Sequence, residues 1–244
     1  MTSQRTSRTW RRAAAVTAAF TACSYMSSPF GQGQLELGFT TRVSALLKTQ
    51  FAQKFGTGTV ERIENWIRYG TSQKLAREDK RQEALRRTSG LQDVELLRNV
   101  NAFFNRVKFV EDAPHWGQLD YWASPVELVS SNGGDCEDYA IAKYYLLKEL
   151  GVPIDRLRIT YVKALKLNQA HMVLAYYASS GADPLILDNL EEQIRPASER
   201  PDLDPVYGFN DDEVELSKSG QKTIPAQLRA WQTLQMRLLV QSRT

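Results

Sequence analysis

Apolar residues recur at helical spacing through the first half of the chain and at alternate positions through much of the second. Val43, Leu46, Leu47 and Phe51 share one helical face. After the break at Gly56-Thr57-Gly58 the pattern resumes with Val60, Ile63, Trp66 and Ile67, so Thr41 to about Arg87 reads as helices. The mixed charges from Lys74 to Arg87 mark a solvated face. A further helix is predicted from Asp93 to about Val107, with Val94, Leu97, Val100, Phe103 and Phe104 on its apolar side. From Val110 to Ser131 the pattern is irregular, interrupted by Pro114, Gly117 and Pro125, and it carries Trp116, Tyr121 and Trp122. A helix from about Cys136 to Leu150 stops at Gly151-Val152-Pro153, where glycine can take the left-handed cap and proline prevents continuation. Beyond it the period is two: Arg158–Val162, His171–Tyr177 and Pro184–Asp188 read as strands separated by turn residues. Helices followed by a strand meander predict an α+β domain, with N-terminal helices packed on one face of an antiparallel sheet.

The N-terminus changes the meaning of the overall charge. Arg5, Arg8, Arg11 and Arg12 precede an uncharged apolar run from Ala13 to Ala22, the layout of an export signal over residues 1–23. The run is about half the roughly 20 residues needed to span a bilayer. Cleavage after Ala22 would leave Cys23 as a lipoprotein N-terminus, whereas later cleavage would release a soluble protein into the periplasm; Arg11-Arg12 also raises a twin-arginine route. Residues 24–40 read as a flexible N-terminal segment and 41–244 as a single domain. The formal net charge of +3, less the four arginines of the signal, leaves −1, so the basic footprint of a nucleic-acid-binding protein is absent.

Cysteine usage adds candidate chemistry. Of the two cysteines, Cys23 belongs to the signal or its edge and Cys136 remains as a lone thiol. In an oxidising compartment such a thiol is either a small buried hydrophobe or a reactive group. Asn132-Gly133-Gly134-Asp135-Cys136 places it where a glycine-rich loop enters a helix, and the helix dipole there favours a thiolate. A thiolate nucleophile needs a base, and the chain has only His115 and His171. His171 opens a strand and Asp188 closes the next, so antiparallel pairing can bring the carboxylate to the imidazole; His115 has no comparable partner. Taken singly, the histidine could be a hydrogen-bonded core residue and the aspartate a turn former. In this order the three predict a Cys136, His171, Asp188 catalytic triad. Asp135, Glu137 and Asp138 crowd beside the thiol, either as caps complementing the dipole or as oxygen ligands of the kind Ca2+ prefers.

Four blocks resemble the bacterial transglutaminase-like cysteine proteinase family, in particular its LapG-type periplasmic proteases. They are Asp120-Tyr121-Trp122-Ala123-Ser124-Pro125-Val126-Glu127, Gly133-Gly134-Asp135-Cys136-Glu137-Asp138-Tyr139-Ala140-Ile141-Ala142-Lys143-Tyr144, His171-Met172-Val173-Leu174-Ala175-Tyr176 and Leu187-Asp188-Asn189-Leu190. The resemblance implies a papain/transglutaminase-like fold with the nucleophile at a helix N-terminus. It also implies an endopeptidase that cleaves a large surface adhesin near its N-terminus, at a di-alanine site, so dispersing biofilm. It implies calcium held by Asp135, Glu137 and Asp138, and sequestration by an inner-membrane receptor of the LapD type that responds to cyclic di-GMP. Trp122 is a candidate substrate contact and Trp116 a candidate partner contact. Two other readings stay open: a transglutaminase or amidase using the same acyl-enzyme, and a non-catalytic binding module.

Overall fold

The computed structural model describes residues 43–84, 92–216 and 227–243; the predicted export signal, the segment at 24–40 and Cys23 lie outside the described residues. Helix α1 (Ala45–Phe55) starts where the Ser44 hydroxyl accepts the Leu47 N–H at 3.0 Å, and it ends at Gly56, whose φ of 78° needs a residue without a Cβ. Helix α2 (Thr59–Ala84) follows, burying Ile63 and Trp66, and α3 (Gln92–Phe104) buries Leu97, Val100 and Phe104. Strand β1 (Lys108–Phe109) comes next.

The stretch from Val110 to Ser131, expected to be irregular, contains two short helices. The first is α4 (Asp112–Trp116), in which Pro114 sits within the first turn, where its missing N–H costs nothing. The second is α5 (Pro125–Ser131). Ser124 and Glu127 form a reciprocal capping box at its start, with Ser124 N donating to Glu127 Oε2 at 2.8 Å and Glu127 N donating to Ser124 Oγ at 3.3 Å. The Ser-Pro-x-Glu signal was present in the sequence. The far end of α5 is fastened to α2 by Arg62, which donates to the Val129 and Ser130 carbonyls.

Strand β2 (Gly133–Gly134) pairs in parallel with β1 and leads into α6 (Cys136–Glu149). Ile141, Tyr144, Leu146 and Leu147 of α6 are fully buried, because α3 and α5 pack against one side of it and the sheet against the other. That sheet has the order β6-β5-β4-β3-β7-β8, antiparallel throughout. Its strands are β3 (Leu157–Ala164), β4 (Gln169–Tyr176), β5 (Leu185–Leu187), β6 (Arg195–Pro196), β7 (Leu203–Phe209) and β8 (Val214–Leu216). Helix α7 (Gln227–Gln241) places Trp231, Leu234 and Leu238 on one face, with Trp231 packed on Tyr144, Tyr145 and Phe209. The α+β architecture read from the pattern is the one observed. The last three strands went unread, and β7 shows why. Its Pro205 pairs with Val162 where the register slips between Tyr161 and Val162, a site that tolerates the missing donor, so the strand lacks clean alternation.

Candidate active site

The loop before Cys136 is built around glycine for steric reasons. A Cβ on Gly134 would lie 2.5 Å from Asp138 Oδ2 and 2.6 Å from Leu128 Cδ1, so only glycine lets β2 come this close to α5 and α6. Cys136 then opens α6, half-buried, and α6 lies against β4. The backbone N–H of Met172 on β4 favours the Cys136 thiolate, which sets the thiol near the residue adjacent to His171.

His171 is 2% exposed, and its Nε2 stands 2.8 Å from Asp188 Oδ1. The sheet register accounts for this contact: Leu187 at the end of β5 pairs with Leu174 on β4, and Asp188 leaves the strand toward the start of β4. With Nε2 turned to the carboxylate, Nδ1 is the nitrogen left for proton exchange with a thiol. Asp188 is anchored on every side. Oδ1 also accepts the Leu190 N–H at 3.0 Å, Oδ2 accepts from Arg200 Nη2 at 2.8 Å, and the Asp188 carbonyl accepts from Asn105 Nδ2 at 2.8 Å. Burial alone would raise the pKa of this carboxyl. The hydrogen bond and charge of His171, together with the Leu190 N–H and Arg200, outweigh burial and hold it well below the usual carboxylate range. Lys143, on α6 and 1% exposed, also feels Asp188; burial lowers its pKa to about 7 and the carboxylate opposes that shift.

His115 takes no part in this group. It packs edge-on against Trp116, with ring centroids 4.6 Å apart, and lies where a Cβ on Gly133 would be 2.9 Å from its Cε1.

A second cluster surrounds the thiol. Carboxylate oxygens of Asp112, Asp135 and Asp138 lie within 4.8 Å of one another, and so do those of Asp112, Asp120 and Glu137. Asp138 is the cap that the sequence allowed it to be, accepting from Ala123 N at 2.6 Å and Asp135 N at 3.3 Å. Capping does not account for the rest, because Asp112 Oδ1 and Asp135 Oδ1 are buried with no hydrogen-bond partner. Asp112 is pushed up to about 6 by burial and by Glu137 and Asp120, against the Tyr121 N–H; Asp135 is pushed up to about 10 by burial and by Glu137 and Asp138. Asp112 and Asp120 were not singled out in the sequence as cluster members. They stand in the stretch read as irregular, and α4 with the loop after it brings them to the start of α6.

The acids reverse the effect expected of the helix dipole on Cys136. Its Sγ donates to Glu137 Oε2 at 3.0 Å, and burial, the Glu137 charge and hydrogen bond, and Asp135 together push the thiol well above its ordinary pKa, opposed only in part by the Met172 N–H. A divalent cation fits the cluster. Two oxygens bound to one Ca2+ at about 2.3–2.6 Å can lie no more than about 5 Å apart, the donors are all hard oxygens, and two of them lack partners.

The two tryptophans differ in position. Trp122 is 3% exposed, stacked on Phe209 with centroids 5.9 Å apart, and its indole N–H donates to Asp120 Oδ1 at 2.9 Å, so its ring belongs to the core. Trp116 is half-buried among Phe55, His115 and Tyr121, with the Lys54 ammonium 5.1 Å from its ring centroid.

Residues 58–202 match the family model of the bacterial transglutaminase-like cysteine proteinases. The chain belongs to that family. Among solved structures it is similar to LapG of Legionella pneumophila, with 40% identity over 80% of this chain and 96% of that one, at a TM-score of 0.61. The same protein treated with EGTA gives 39% identity, 80% and 98% coverage and a TM-score of 0.62. Its calcium-bound form gives 40%, 80% and 99%, and 0.60. None of the curated proteins matches the chain significantly. Membership makes this a cysteine protease of transglutaminase-like fold, and Cys136 is the one free cysteine among the described residues.

Proposed function

We propose that this protease is a calcium-dependent endopeptidase of the periplasm. In this reading it cuts a large surface adhesin near its N-terminus, releases it and so promotes biofilm dispersal. The observation that carries the catalytic part is the buried pair of His171 on β4 and Asp188 just past β5, beside a thiol held at the start of α6. No helix among the described residues is long and apolar enough to cross a membrane.

The chemistry follows from these side chains. Cys136 Sγ adds to the scissile carbonyl carbon as its proton passes to His171 Nδ1, and the imidazolium is stabilised by Asp188 through Nε2. Collapse of the tetrahedral adduct breaks the C–N bond, and His171 returns the proton to the leaving amine. Water, deprotonated by His171, then attacks the thioester, releasing the acyl fragment and restoring the thiol. Asp112, Asp120, Asp135, Glu137 and Asp138 would hold a calcium ion, whose charge offsets the carboxylates that now raise the thiol pKa. The calcium-bound and EGTA-treated forms of the Legionella relative support this choice of ion. Control by a LapD-type cyclic di-GMP receptor is part of the same reading. Trp116, half-buried in its aromatic group, is the candidate contact.

The test is cleavage of an adhesin N-terminal fragment bearing a di-alanine segment, with a dansylated amine present as a competing acceptor. The wild-type protein with calcium should yield two fragments and no dansylated product, and Cys136→Ala should abolish cleavage while still binding the fragment. Dansyl incorporation in place of hydrolysis would establish a transglutaminase, and full cleavage by Cys136→Ala would remove the mechanism.

A further inference from the structure

The triad as usually drawn stops at the carboxylate, but here the outer oxygen of Asp188 has a partner of its own. Arg200 lies in the turn between β6 and β7 and is 5% exposed. Its Nη2 donates to Asp188 Oδ2 at 2.8 Å, while the same group and Nε grip the Asp202 carboxylate at 2.9 and 3.1 Å. Asp202 is held below the ordinary carboxylate range by these hydrogen bonds, against its own partial burial. The guanidinium is thus fastened from the turn side and presents one N–H to Asp188. Meanwhile Asp188 Oδ1 is committed to His171 and the Leu190 N–H. A carboxylate with 0% side-chain exposure has no water to complete its shell, so the second oxygen needs such a donor.

We infer that Arg200 is a positioning residue of the catalytic apparatus, fixing the rotation of the Asp188 carboxylate so that Oδ1 meets His171 Nε2. The inference rests on the proposed triad. A planar carboxylate free to turn about its Cβ–Cγ bond would present either oxygen at a range of angles. The arginine fork removes that freedom and keeps the group ionised without touching the imidazole. The titratable and charged groups that face Asp188 are His171 from β4, Arg200 from the turn and Lys143 from α6; Asn105, just past α3, reaches only its carbonyl. Of the two cationic side chains, Arg200 is the one in direct hydrogen-bond contact. Lys143, with its ammonium 5.8 Å from the Tyr139 ring centroid, contributes charge.

The geometry makes Arg200 act only through Asp188, and a double-mutant cycle reads that property directly. In the full-length, calcium-saturated protein, kcat and KM for fragment cleavage are measured for wild type, Arg200→Gln, Asp188→Asn and the pair, with thermal midpoints alongside. Arg200→Gln should lower kcat by about ten- to a hundredfold, by analogy with the loss of the outer hydrogen-bond partner of a metal-ligating side chain, and leave KM within about twofold. The acid limb of its pH profile should move upward, because an Asp188 without its cation takes up a proton sooner. In the Asp188→Asn background the same substitution should cost no further activity. Arg200→Lys, which keeps the charge and loses the fork, should stay folded if Arg200→Gln does not. It should lose several-fold in kcat with the same dependence on Asp188. Losses that multiply in the double variant, or an unmoved acid limb, would make Arg200 a purely structural residue and overturn the inference. Unchanged activity in Asp188→Asn alone would instead strike at the triad itself.

Discussion

Lys143 is a residue whose environment the sequence did not reveal. In the chain it is an ordinary helical lysine, but the helix that carries it is enclosed by other helices and the sheet, leaving it 1% exposed beside Asp188. Burial lowers its folded pKa to about 7, below the unfolded value of about 10.4. Between those values the unfolded chain binds the proton and the folded protein does not, so this group makes stability rise with pH across that window. The slope is at most about 1.4 kcal/mol per pH unit. Denaturation of calcium-saturated protein at pH 7 and pH 9 should show wild type gaining stability relative to Lys143→Met, whose buried methionine does not titrate. An identical pH response in the two proteins would mean that the ammonium is solvated or paired. His171 and Asp188 were legible at this scale because strand order brings them together. Arg200 and Asn105 were not, since an arginine and an asparagine in turns carry no spacing signal for a partner in another element.

At the scale of elements, the short β2 strand is the joint that aims α6. In the sequence Gly133 and Gly134 mark only a loop that enters a helix. The structure puts His115 and Val110 against Gly133, and Asp138 and Leu128 against Gly134. Gly134→Ala should therefore overpack the junction at a cost of about 1–3 kcal/mol and displace Asp138 from Ala123 N and Asp135 N. Calcium titration followed by thermal melting should show a lower midpoint and a smaller calcium-induced increase than in wild type. A variant with the wild-type midpoint and calcium response would show that the junction can relax. Helices α1, α2, α3 and α6 and strands β3, β4 and β5 were readable from periodicity and stop signals. Helices α4 and α5 are shorter than a periodic signal can establish, and α5 was marked only by its capping box. Their omission is why Asp112 and Asp120 were missed as members of the acidic cluster.

The whole molecule joins a helical layer to an antiparallel sheet, with the Cys136 thiol on one side of the junction and the His171–Asp188 pair on the other. That arrangement was expected from the order of the blocks, and the family match bears out the fold. Were the four arginines of residues 1–23 removed with the proposed export signal, the net charge of −1 would give no basic field. The proposed receptor domain should then dock chiefly on aromatic surface such as that around Trp116. Its affinity should change little between low and moderate salt, because screening weakens exposed charge pairs far more than apolar contact. Binding isotherms at two ionic strengths check this, and loss of most affinity in the higher salt would point to a charge-led interface.

In the proposed mechanism Cys136 is a nucleophile whose ionisation is governed by the carboxylates around it. That role is tested most directly by the pH dependence of iodoacetamide alkylation at Cys136, read by intact mass with calcium and after exhaustive chelation. With the cluster uncompensated, burial and the charges of Glu137 and Asp135 hold the thiol high, so the chelated protein should be alkylated only at alkaline pH. With calcium bound, the alkylation midpoint should fall toward neutrality and cleavage should appear in the same pH range. Superimposable alkylation profiles, with cleavage undiminished by chelation, would contradict the account.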